Sequence, residues 1–227
     1  MSSWPDPLDD AAAAATWRGA WSTLGLTPPA GERERLEAAW SGPGRAYHAL
    51  EHLRECLAWW LRWRDAASHP AEVALALWYH DAVYDARSHD NEARSAAWAR
   101  DVVGNSAVDL AAGMVTHRHP GPSAAADRVH GLVMATCHRA PAVGPDAQLL
   151  VDIDLAILGS PPARFARYDA DVRREYAWVP EDVYRARRVE VLSQFLAMPR
   201  LYHGERAHAL LEDAARRNLA TAIRALR

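Results

Sequence analysis

The chain has 227 residues, half of them apolar, with a formal charge of -3 and a pI near 6.4. That is enough for one sizeable core, and the near-neutral balance gives no general attraction to nucleic acid or to a membrane surface. With no apolar run of about 18 residues and no signal-peptide pattern, a soluble cytoplasmic protein is expected.

All 26 basic residues are arginine, a side chain suited to bidentate contacts with phosphate or carboxylate. Cys56 and Cys137 lie in apolar, helical stretches. They form neither a zinc spacing nor a disulfide framework, which fits a reducing interior.

Taken in order, Asp9 and Asp10 cap a first helix that carries Trp17, Trp21 and Leu24 on one side and stops near Gly25. A short helix from Glu32 to Trp40 ends at Ser41-Gly42-Pro43-Gly44. A long one is predicted from Arg45 to Ala67, with Ala46, Leu50, Leu53, Leu57 and Leu61 as its buried line. His69-Pro70 breaks the chain before a helix through Val73–Tyr84, apolar on nearly every side and therefore central. After the polar loop DARSHD, a helix from Asp90 or Asn91 reaches about Val103. Further helices are predicted from Ala107 to about His117, from Ala124 to His138, and through AQLLVDIDLAILG. Others run from Pro161–Pro162 to about Tyr176, from Pro180 to about Met198, and from Glu205 to Arg227. No stretch alternates with period two for long enough to make a strand. The expected fold is all-α, a single domain over residues 1–227 of roughly ten helices.

Chemistry concentrates where polar residues interrupt apolar rows. His80 and Asp81 stand side by side in the central segment, and burying such a pair costs several kcal/mol unless something compensates it. A metal ion is the compensation that uses both side chains. His89-Asp90 is the same dipeptide in a polar loop and reads as chance. His48 and His52, four residues apart in RAYHALEH on the predicted helix, share a face. Both can then ligate one ion, or one can ligate while the other addresses a substrate. Asp152 and Asp154 lie in the apolar row LLVDIDLAIL about 200° apart on a helix, so one faces a site while the other caps or pairs with an arginine. His138 closes an apolar helix, as a second-metal ligand, a phosphate contact or a C-terminal cation. Plain structural roles remain open for each of these groups.

The ordered set YHALEH, LWYHDAVYD, DNEARSA, ATCHR, DIDLAILG and VRREY resembles the HD superfamily of metal-dependent phosphohydrolases. More narrowly it is similar to a small predicted-phosphohydrolase group with HDAVYD, DNE..SA and D.DLAILG motifs, over about residues 47–176. The resemblance implies an HD-type helical bundle with a metal-binding core at about 45–176. It implies His52, His80, Asp81 and Asp154 as ligands of a divalent ion, with His138 at a second one. One or two ions of Mn, Mg, Fe, Co, Ni or Zn are compatible with it. The implied reaction is attack of metal-bound hydroxide on a small phosphomonoester or nucleotide. The Tyr-His-x-x-x-His segment also resembles that of cyclic nucleotide phosphodiesterases, which implies His48 as general acid. Arg45 and Arg139 are candidates for contacting phosphate, Glu92 for orienting water, and Asp85 for holding a ligand histidine. Asn91 and Ser95 are expected to close their loop by capping, and Glu175 and Glu190 to form salt bridges.

Three other readings keep part of this picture. A phosphodiesterase shares the centre with a different substrate, a non-catalytic module binds metal or nucleotide without turnover, and a structural bundle binds no metal. Trp59, Trp60, Trp63 and Trp78 are candidates for stacking on a base, though their helical spacing favours the core. A tryptophan-rich helical surface would suit a homodimer. Neither a nucleic-acid nor a membrane partner is expected.

Overall fold

A computed structural model describes residues 4–108 and 122–227. Among them are ten α-helices: α1 Asp10–Leu24, α2 Glu32–Trp40, α3 Leu50–Trp63, α4 Pro70–Tyr79, α5 Asn91–Gly104, α6 Pro122–Ala135, α7 Pro145–Asp154, α8 Pro162–Glu175, α9 Glu181–Ala197 and α10 Glu205–Leu226. One hydrophobic core links α1 through α10, so the chain is an all-α single domain.

Local chemistry sets the helix ends. The Asp9 carboxylate accepts the Ala12 N–H at 2.8 Å, and Gly25 ends α1 in the left-handed region at φ 63°, where a Cβ would be costly. Pro70 opens α4 in the one turn that tolerates it. The helix is central: Val73 to Tyr79 are all at most 1% exposed, and α1, α3, α5, α6 and α7 pack around it. Buried ion pairs pin neighbours together. Arg164 of α8 grips Glu55 of α3 with two bonds of 2.7 and 2.6 Å, and Arg128 of α6 does the same to Glu72 of α4.

Five expectations need correction. The helix predicted from Arg45 begins only at Leu50, because the N–H groups of Ala46, Tyr47 and His48 turn to the Glu175 carboxylate instead. Leu61, assigned to its buried line, is 40% exposed. The central helix stops at Tyr79, so His80 and Asp81 follow its C-terminus. Ala107–Val108 is a short strand paired antiparallel with Leu26–Thr27, where a helix was expected; the rest of that predicted helix, residues 109–117, lies outside the described residues. The tryptophan-rich surface is also absent. Among the described residues only Trp178 is an exposed tryptophan, and Trp59, Trp60, Trp63 and Trp78 are core.

The glycine that closes DIDLAILG has a packing reason. A Cβ on Gly159 would lie 2.7 Å from the Leu211 Cβ and 2.9 Å from its carbonyl oxygen, so α10 crosses directly over the 3₁₀ segment Leu155–Gly159. A Cβ on Gly104, at the end of α5, meets only Ala126 at 3.5 Å. Gly159→Ala is therefore expected to lower unfolding free energy by about 1–3 kcal/mol. Gly104→Ala is expected to be neutral or stabilising by up to roughly 1 kcal/mol. Chemical denaturation of both variants checks the difference.

Candidate metal centre

Three helix ends deliver the site. His52 sits on the first turn of α3, His80 and Asp81 just beyond α4, and Asp154 at the last residue of α7, where the chain tightens into a 3₁₀ segment. The His52 and His80 Nε2 atoms stand 3.3 Å apart. Asp154 Oδ1 is 3.2 Å from His52 Nε2 and 3.6 Å from His80 Nε2. Asp81 Oδ2 is 3.3 Å from His80 Nε2 and 4.0 Å from His52 Nε2. His138 Nε2 approaches the other Asp154 oxygen, Oδ2, at 3.3 Å. His138 stands three residues past α6 at φ 51°, a left-handed conformation uncommon for a side-chain-bearing residue and frequent at functional sites.

The histidine rings are held before any ligand arrives. His80 Nδ1 lies 2.8 Å from the Leu77 carbonyl oxygen, one that the end of α4 leaves without a helical partner. That bond fixes the proton on Nδ1 and points Nε2 inward, the outer-shell arrangement that orients metal-binding histidines. The Trp40 ring packs 5.2 Å from His80, and Tyr47 packs 4.6 Å from His52. The loop after Asp81 is stapled to α5. Asn91 accepts the Asp85 N–H at 3.1 Å and donates to the Asp85 carbonyl at 2.9 Å, while Ser95 Oγ accepts the Val83 N–H at 3.0 Å. DNEARSA thus closes its loop across to the HD segment, not by capping its own helix.

The donor set suits a cation. His52, Cys56, His80 and Asp154 offer ligand atoms all within 4.8 Å of one another, a group that can hold a metal ion. With metal–ligand bonds of about 2.0–2.2 Å, neighbouring ligand atoms stand roughly 2.9–3.6 Å apart, the range of most separations above. The buried acids elsewhere are compensated differently. Glu32, Glu55, Glu72, Asp171 and Glu212 each pair with an arginine, and Asp152 and Glu175 accept backbone N–H groups. Among the described residues Asp81 and Asp154 have neither; their partners are imidazoles. Burial opposes the charge on Asp154, but bonds from His138, His52 and His80 outweigh it and hold the carboxyl well below its ordinary range. Asp81 is likewise lowered against burial, chiefly by His80. Burial would strip His80 of its proton, yet Asp81 and Asp154 raise its pKa well above 6.5. The two acids thus favour positive charge beside them, which a proton on His80 supplies and which a metal ion held by this group could supply instead.

Cys56 is the member of the group that the sequence did not flag. Its Sγ lies 3.7 Å from His52 Nδ1, and burial, reinforced by Asp154, Glu55 and Asp81, pushes the thiol pKa up. It lies one turn after His52 on the helix predicted for that segment, so the i, i+4 spacing was the signal that could have found it.

A further histidine, His48, stands beside the ligand set. His48 precedes α3 in a turn, so it does not share a helical face with His52; their rings are 6.2 Å apart. His48 Nδ1 is 2.7 Å from Glu175 Oε2, and its ring stacks on Tyr84 at 4.3 Å. Burial lowers the His48 pKa, but the bond to Glu175 and the charges of Asp81, Glu175 and Asp154 outweigh it and raise it. Glu175 forms the salt bridge expected of it, with His48 as the partner and no arginine among the described residues; Oε1 accepts the N–H groups of Ala46, Tyr47 and His48 at 2.7, 2.8 and 2.9 Å, and Oε2 accepts the Tyr84 hydroxyl at 2.7 Å.

The remaining candidates separate. Arg45 donates to the carbonyls of His48 and Ala82 at 2.6 and 2.9 Å, and its charge reaches Asp81. Asp152 turns away from the site, accepting His203 and Gly204 N–H groups at 2.7 Å each; it anchors the start of α10 and pairs with no arginine. Asp85 takes the Arg87 N–H and holds no histidine. Arg139 donates to the His89 carbonyl on the surface. Glu190 pairs with Arg187 as expected. Glu92 is half-buried, and its charge acts on Cys137 and Tyr176; no hydrogen bond or ion pair joins it to the ligand set among the described residues. A groove of about 710 Å³ between α8 and α10 shares no residue with the ligand set. No family model, curated protein or solved structure matches the chain, and no helix of the described residues is long and apolar enough to cross a membrane.

Burial opposes the charge on Glu175, but His48, the backbone N–H groups and Tyr84 lower its pKa from 4.5 to about 2. A depressed carboxylate contributes stability that is fully present above its unfolded pKa and lost as pH falls through the folded one. The stability gap between the native protein and Glu175→Gln is expected to be full at pH 6 and to shrink steadily from about pH 5 toward pH 2. Denaturation midpoints across that range check it. A gap independent of pH would show that the charge of Glu175 is not what holds the turn.

Proposed function

We propose that the protein is a divalent-metal-dependent phosphohydrolase acting on a small phosphomonoester or nucleotide. The observation that carries this reading is the convergence of His52, His80, Asp81 and Asp154 beside a separate histidine–glutamate pair at the same mouth. His52, His80, Asp81 and Asp154 would hold the ion, with His138 at the free oxygen of Asp154. A divalent ion bound there acidifies water and offsets phosphate charge.

The chain's own groups do the rest. Asp81 and Asp154 keep their ligand oxygens ionised, because the imidazoles around them lower their pKa values. Arg45 places positive charge beside Asp81, where a phosphoryl oxygen would lie. Water oxygen bonds to phosphorus as the ester P–O bond breaks. His48 gives its Nε2 proton to the departing oxygen and is reset by the proton that the attacking water loses. Glu175 holds Nδ1 throughout, so the ring cannot turn and its charged form is favoured. The same groups would serve a phosphodiester, and the chemical class of the released product separates the two.

Protein purified without chelator is expected to contain a stoichiometric divalent ion and to release phosphate from some members of a panel of nucleoside monophosphates and sugar phosphates. Asp81→Ala is expected to lose both activity and the ion; phosphate release unchanged by that substitution rules the mechanism out. His48→Ala should lower kcat by about 10²–10⁴-fold with the ion still bound. Loss of the ion in that variant would make His48 a ligand. Because His48 must be protonated to act, Glu175→Gln should move the basic limb of the kcat/KM profile to lower pH.

A further inference from the structure

The sulfur of Cys56 closes a group whose other donors are nitrogen and oxygen. Cys56 follows His52 by one turn of α3, which places both side chains on the same face of the helix. It is buried, and its Sγ lies 3.8 Å from His52 Nε2, the nitrogen that meets His80 and Asp154. An ion about 2.0–2.1 Å from an imidazole nitrogen and about 2.3 Å from a thiolate holds those two atoms roughly 3.6 Å apart at the tetrahedral angle. The observed separation suits two ligands of one ion, and His80 and Asp154 have ligand atoms within 4.8 Å of the same sulfur.

The surroundings leave that sulfur available. His52, Cys56 and Asp154 border one small void of about 10 Å³ together with Glu55. Arg164 holds both oxygens of Glu55, at 2.7 and 2.6 Å, so this carboxylate is already satisfied. Among the described residues the sulfur's only contacts of hydrogen-bond range are with the two ring nitrogens of His52. A cysteine that merely fills space needs neither an imidazole nor a carboxylate beside it. Donor type then decides which ion such a group prefers. Oxygen ligands suit magnesium and manganese, whereas imidazole and above all thiolate favour zinc and its neighbours in the transition series. Sulfur added to two imidazoles shifts the balance toward those softer ions.

We propose that Cys56 is a ligand of the ion and that its sulfur makes the centre select Zn²⁺ and Co²⁺ over Mg²⁺ and Mn²⁺. This assignment rests on the metal-dependent reading of the same site, but ion binding tests it without turnover. The thiol proton leaves to solvent as the metal–sulfur bond forms. Chelator-treated protein titrated with Co²⁺ is expected to develop a near-ultraviolet sulfur-to-cobalt charge-transfer band. The chain has two cysteines, so the band should persist in Cys137→Ser and vanish in Cys56→Ser. In equilibrium dialysis the ratio of Zn²⁺ to Mn²⁺ affinity should fall in Cys56→Ser by about 10-fold or more, through loss of Zn²⁺ binding. Should Cys56→Ser fail to fold, the band in the native protein and in Cys137→Ser still assigns the sulfur. Absence of the band, its survival in Cys56→Ser, or equal loss of Zn²⁺ and Mn²⁺ in that variant overturns the proposal even if phosphate is released. A Cys56-dependent band with no hydrolysis of any phosphoester supports the sulfur ligand and overturns the hydrolase.

Discussion

Two carboxylates share a nearly closed space with three imidazoles, and holding those like charges together is the constraint around which the molecule is built. Asp81 and Asp154 cannot both stay ionised at the end of an apolar bundle unless positive charge sits between or beside them. The protein's own supply is a proton on His80, secured by the acids that surround it. That arrangement satisfies the charges only while the proton remains, and it leaves the inward lone pairs competing for it.

The fold meets this demand by ending helices at the site. A helix interior satisfies its own backbone and aims side chains sideways, whereas a terminus leaves carbonyls free and lets successive residues point in unrelated directions. His80 keeps helical backbone angles (φ -55°, ψ -37°) at the C-cap of α4, so His80 and Asp81 leave the last turn of the helix in succession and both reach the ligand group. The Leu77 carbonyl released by that ending then fixes the His80 ring. Asp152 and Asp154 both belong to α7, and their separation of about 200° around the helix turns Asp154 to the site and Asp152 to the start of α10. Asn91 and Ser95 hold the freed loop, so its irregular backbone is ordered by side chains, not by a helix.

Much of this architecture was legible in the sequence, because apolar rows, prolines and glycines report packing and chain breaks directly. The helices at α1, α5, α8, α9 and α10 follow from capping residues and period, and α4 stands out as the helix with no polar side. What could not be read were decisions between local and distant hydrogen-bond partners. Residues 45–49 have good helical composition, yet they turn aside because Glu175, far along the chain, offers their N–H groups a carboxylate. The placement of His48 depends on that choice. The motif order flagged the residues that meet at the centre, including the choice of Asp154 over Asp152. Cys56, four residues after His52 on a predicted helix, could have been flagged by its spacing, whereas the bond between Glu175 and His48, 127 residues apart, exists only after folding.

The treatment of the other buried acids sharpens the reading of the centre. This chain is rich in arginine and uses it freely: the buried Glu55 and Glu72 each receive a two-bond guanidinium clamp. Where an acid lacks an arginine, as with Asp152 and Glu175, several backbone N–H groups converge on it. An arginine at Asp81 or Asp154 would fill the pocket and neutralise it permanently, as it does at Glu55. Arg45 comes close enough to stabilise Asp81 but spends its described bonds on the carbonyls of His48 and Ala82. The pocket therefore has charge near it without being filled by it. That combination leaves His52, Cys56, His80 and Asp154 as a group that could hold a metal ion.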